Sequence, residues 1–78
     1  MSNKYIEIIE KSRKEKTSVF SVINKNGGYE LAEIKWYSAW RQYCLFPKEN
    51  TTWNTDCLLY VNAFIRRANT EHARAMSG

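Results

Sequence analysis

A chain of 78 residues has room for one domain with one small core, and little interior left over for a preformed catalytic cleft. Hydrophobic residues make up 44% and aromatics 14%, enough to bury, which excludes a disordered chain. Twelve Lys and Arg against eight Asp and Glu leave a net charge of +4, a balance suited to nucleic acid or an acidic protein surface.

The amino-terminal stretch MSNKYIEIIEKSRKEK lacks an apolar run of signal-peptide length. No segment is apolar enough to span a bilayer. A cytoplasmic protein with no membrane partner is therefore expected, its thiols Cys44 and Cys57 reduced.

Taken in chain order, Tyr5 to Lys11 alternates roughly and predicts a strand, followed by a charged connection from Ser12 to Lys16. Thr17 to Asn24 is rich in Val, Ile, Phe and Thr and predicts a second strand. Asn26-Gly27 suits a two-residue type I′ turn, and Tyr29 to Tyr37 is then the return strand. Ser38 to Trp40 predicts a second tight turn, and Arg41 to Phe46 a fourth strand that Pro47 ends, having no amide hydrogen to donate.

After a polar loop, Asn54 is placed as the N-cap of a helix with Asp56 in its first turn, where the dipole favours negative charge. Trp53 and Leu58 stand at the positions of a hydrophobic staple. Leu58, Val61, Ile65 and Ala68 recur at helical spacing, flanked by Cys57 and Phe64, with Asn62, Arg66 and Asn69 opposite. The helix is expected to end near Ala68, the tail after Asn69 fraying. This order predicts a single α+β domain: an antiparallel meander of about four strands with one carboxy-terminal helix on one face.

Turn lengths set register. With a two-residue first turn and a three-residue second, Val19, Ser21 and Thr17 face Ile34, Ala32 and Trp36, while Cys44 and Phe46 face Ile34 and Ala32. That face matches the helix stripe, so Trp36, Ile34, Phe46, Val61 and Ile65 are the expected core. Phe20, Val22, Leu31, Lys35, Tyr37, Arg41, Tyr43 and Leu45 then share the other face. Something should cover so apolar a face, and a bulge in any strand would exchange the two.

The run Lys35-Trp36-Tyr37-Ser38-Ala39-Trp40-Arg41-Gln42-Tyr43 carries the functional signal. Tyr, Trp and Arg are the residues that anchor interfaces. Lys35, Tyr37, Trp40, Arg41 and Tyr43 form the candidate binding surface, with Arg66 and Arg67 extending it on the helix. Three readings stay open: bases stacking on the tyrosines with phosphates on the cations, a protein interface, or cross-strand pairs that only stiffen the sheet.

Chemistry of other kinds has little support. His72, Cys44 and Cys57 lack zinc-site spacing, so no metal or cofactor is expected. Cys57 lies in a helix's first turn but without a histidine positioned as its base. The acids show no paired-carboxylate pattern, and Gly27-Gly28 lacks the Lys and Ser/Thr of a phosphate loop. No enzymatic activity is expected.

The run EIKWYSAWRQYCLFP, followed by CLLYVNAFI, resembles a group of small phage and prophage proteins of unassigned function that share a KWYxxWRQY pattern, then Cys-Leu and an apolar helix. The likeness covers Glu33 to Ile65. The strands-then-helix order is also similar to the single-stranded-DNA-binding folds of the Whirly and transcriptional-coactivator type. The first resemblance implies a mobile-element origin and no particular activity, small phage proteins of this size commonly acting by binding host or phage components. The leading expectation is single-strand nucleic-acid binding. The alternatives are an inhibitor docking on a bacterial defence protein, in the manner of anti-CRISPR proteins, and a homodimeric assembly subunit.

Overall fold

The computed structural model describes residues 3–77 and shows the expected α+β architecture. Four strands, β1 (Ile6–Arg13), β2 (Ser18–Asn24), β3 (Glu30–Tyr37) and β4 (Gln42–Pro47), form one antiparallel meander in the order β1-β2-β3-β4. A single helix, α1 (Thr55–Ser77), follows and packs on one face. Period-two patterning is plain at the start of β1, where Ile6 and Ile8 are buried and Glu7 and Ile9 exposed.

The strands match the sequence expectation, but the faces do not. Phe20 stands opposite Ile34 and Val22 opposite Ala32; Ile34 faces Leu45 and Trp36 faces Tyr43. Relative to β3, both β2 and β4 are thus turned over from the expected register. A bulge turns β2 over and a longer turn does the same to β4. The β2–β3 connection is held by an Asn24 side chain whose Oδ1 accepts from the amides of Asn26 and Gly27 at 2.8 and 2.9 Å. Gly28 takes a φ of 73° in this wider turn, so Asn26-Gly27 is not a two-residue type I′ turn. A bulge between Val22 and Ile23 leaves Leu31 as an extra residue in β3. Leu31 joins Ala32 in the core, and Glu30 returns to the opposite face.

The β3–β4 connection runs from Ser38 to Arg41, one residue longer than expected. The Arg41 amide closes it by donating to the Tyr37 carbonyl at 2.8 Å, with Arg41 in the left-handed region at φ 54°. Val19, Cys44 and Phe46 therefore leave the core, and Phe20, Val22, Tyr43 and Leu45 enter it. Ile6, Ile8, Val22, Leu31, Ala32, Ile34, Tyr43, Cys57 and Val61 are buried, with Trp36 and Ile65 packed against them.

Helix α1 begins where expected, with Asn54 Oδ1 accepting from the Cys57 amide at 2.8 Å. It buries Cys57 and Val61, whereas Leu58, expected in the buried stripe, is 50% exposed. The helix also continues to Ser77 rather than ending near Ala68. Two side chains tie down this second half. Asn69 Oδ1 accepts from the Tyr43 amide at 2.7 Å, satisfying a donor on the open edge of β4. The His72 ring lies 4.3 Å from that of Trp36. Asn69 thus faces the sheet, not the side opposite the stripe.

Candidate functional site

Among the described residues no further element packs on the sheet face away from α1, which carries two neighbouring features. The first is an ion-paired network around Glu30 and Glu33. Lys11 Nζ lies 3.2 Å from Glu30 Oε2 and 2.7 Å from Glu33 Oε2; Lys48 Nζ lies 3.0 Å from Glu30 Oε1, and Lys35 Nζ 3.6 Å from Glu33 Oε1. The bulges at Lys11 and Leu31 turn these side chains onto one face. The Ser21 hydroxyl donates to Glu30 and, with the Lys48 ammonium, holds its carboxyl down at about 2. The Glu33 carboxyl is lowered chiefly by Lys11.

The second feature is an aromatic tip where β3 turns into β4. Tyr37 meets Trp40 edge-on at 5.2 Å and Phe46 at 6.0 Å, and Lys35 Nζ stands 4.7 Å over the Phe46 ring. Trp40 is 67% exposed at the corner of the turn, next to Arg41. A tight loop closed by backbone hydrogen bonds thus presents one large ring to solvent, braced from behind by a second.

Comparison of the chain with protein-family models, with curated proteins and with solved structures found no match. The site rests on its own geometry.

Of the seven residues expected to form the binding surface, Lys35, Tyr37, Trp40 and Arg41 converge at the tip. Tyr43 does not. It is buried on the helix side, 6% exposed, where its hydroxyl accepts from the Ser18 amide at 3.0 Å. The four-residue turn inverts it relative to Tyr37. Arg66 and Arg67 lie on α1, across the sheet from the tip, beside Thr70 and Arg74. Phe46 is the residue that sequence reasoning missed: expected in the core, it supports both Tyr37 and Lys35. A four-residue turn assigned from the sequence would have placed it there.

Among the described residues there is no cluster of three or more His, Cys, Asp or Glu placed to hold a metal ion. No described helix is long and apolar enough to cross a membrane.

Proposed function

We propose that this chain is a non-enzymatic binding protein that engages single-stranded nucleic acid at the β3–β4 tip. The observation that carries the reading is Trp40, two-thirds exposed on a backbone-locked turn and backed edge-on by Tyr37, with Arg41 next in the chain. An indole in water at such a corner offers a flat face to any base, at about 1 to 3 kcal/mol per stacked base. Arg41 is the cation available to the adjoining phosphates, with Lys35 held more loosely, 3.6 Å from Glu33 Oε1. Farther along the face, the lysines are engaged by Glu30 and Glu33, whose fixed negative charge repels phosphate. The footprint is therefore short, a few nucleotides.

The test is anisotropy of a labelled oligodeoxythymidine against Trp40→Ala. The change lies in the turn, outside the core, so the melt should be unaltered while affinity falls about tenfold or more. A folded Trp40→Ala protein with full affinity refutes the site.

A second reading is favoured by the same network. A nearly charge-balanced face bearing the exposed Ile9 and the half-buried Phe46 suits a protein partner better than a phosphate track does. In that reading, supported also by the resemblance of the KWYxxWRQY run to phage proteins, the chain is an inhibitor docking on a bacterial defence protein. Affinity capture from host lysate with and without nuclease separates the two: a nuclease-resistant protein partner, lost on Trp40→Ala, supports the inhibitor.

A further inference from the structure

Antiparallel connectivity gathers the β1–β2 turn, the β3–β4 turn and the last turns of α1 at one end of the molecule. There, between the β1–β2 turn and α1, lies a groove of about 570 Å³, a volume typical of small-ligand sites. Its floor is aromatic. Phe64 meets Phe20 edge-on at 4.9 Å, and Tyr43 lies 6.0 Å from Phe20. The Tyr43 hydroxyl accepts from the Ser18 amide and keeps its own proton to donate.

The rim is polar and two-signed. Lys14 and Lys16 project from the turn, which is closed by the Lys14 amide donating to the Thr17 carbonyl at 2.7 Å. Among the described residues neither has an ion-pair partner. Arg13 and Glu10, by contrast, pair with each other at 3.3 Å, and Glu10 also accepts from the Ser18 hydroxyl. Across the groove Glu71 offers carboxylate acceptors.

We propose that this groove binds one nucleotide unit, with the base against Phe20 and Phe64 and the phosphate on Lys14 and Lys16. Each part of the ligand answers an observed part of the site. A flat apolar ring covers the floor, an anion meets the two unpaired ammonium groups, and Glu71 accepts from an exocyclic amine. A purely apolar ligand would leave the lysines idle, and a bare phosphate would leave the aromatic floor bare. The unit comes either as a free nucleotide or as one residue of a bound strand. The groove lies on the opposite side of the sheet from the Trp40 tip and stands independently of it.

The experiment follows backbone amide shifts on titration with adenosine 5′-monophosphate, adenosine, inorganic phosphate and a short oligodeoxyadenosine. The monophosphate should move Ser18, Phe20, Phe64 and His72, with adenosine and phosphate each at least roughly tenfold weaker. The double variant Lys14→Glu, Lys16→Glu should weaken the monophosphate at least roughly tenfold with an unchanged melt, and Trp40→Ala should leave it unaltered. Groove shifts with the oligonucleotide alone identify the strand as the source and support the site. The proposal is overturned if neither nucleotide nor oligonucleotide moves these amides, if the double variant binds as before, or if Trp40→Ala abolishes binding of the monophosphate. That last result would place the ligand at the tip.

Discussion

Arg41 combines two roles that a substitution can separate. Its φ of 54° costs a non-glycine residue on the order of 1 kcal/mol, and it follows the exposed Trp40 in the chain. Arg41→Gly should therefore raise stability by about 0.5 to 1 kcal/mol and weaken nucleic-acid binding. Chemical denaturation beside the anisotropy titration reads both; lower stability would show that the side chain is held by contacts the turn needs. Glu30 makes a different kind of prediction. Its carboxyl titrates at about 2 in the folded protein against 4.5 ordinarily. The stabilisation is thus full above pH 4.5 and is lost as pH falls toward 2, because the unfolded chain takes up the proton first. Allowing for solvent screening, it is about 1 to 2 kcal/mol. Glu30→Gln should lower the urea midpoint at pH 7 and flatten its fall between pH 5 and 2. A variant with the wild-type acid limb would assign that limb to Glu33 or another carboxylate.

At the level of elements, alternation and caps made strands and helix start legible, and turn geometry hid the rest. β2 (Ser18–Asn24) and β3 (Glu30–Tyr37) form because β-branched and aromatic residues fill them, and Asn54 does cap α1. Which face each strand shows depends on single residues in the turns. An Asx-type Asn24, a bulge at Leu31 and a left-handed Arg41 leave almost no periodic trace. The bulge and the Arg41 turn each move the register by one and turn a strand over, whereas the Asn24 turn keeps the register a two-residue turn would give. Lys35 and Tyr37 keep the face expected of them because they belong to β3, and Trp40 keeps its place in the turn, which Arg41 joins from the expected fourth strand. Tyr43 was misplaced because it lies beyond the turn. The second half of α1 was hidden for another reason: Asn69 and His72 look polar in sequence, yet one binds a strand amide and the other stacks on Trp36. Asn69→Ala leaves the Tyr43 amide unpaired, at about 1 to 3 kcal/mol. Hydrogen exchange should then speed in α1 beyond Ala68 before it speeds around Val61. Uniform destabilisation would mean that the helix docks as one unit.

For the whole molecule, the decisive property is polarity along its 39 Å length. Lys14, Lys16, Arg41, Arg67 and Arg74 all lie toward the end where α1 finishes and the two outer turns meet. Some of this charge answers the negative end of the helix dipole, as Arg74 does in the last turn. That role alone would predict no binding. If the end is instead a nucleic-acid surface, salt dependence should grow with the length of the strand. Each phosphate contact contributes about −0.7 to the slope of log affinity against log salt for a single strand. A trinucleotide confined to the tip reaches Lys35 and Arg41 only and should give a slope of about −1.4. A strand long enough to pass around the end into the groove adds Lys14 and Lys16, taking the slope toward about −2.8. Lys14→Glu with Lys16→Glu should return the long strand to the shallow slope and leave the trinucleotide unchanged. Equal slopes for both lengths would confine binding to the tip, and a negligible slope for either would leave the protein-docking reading as the explanation of Trp40.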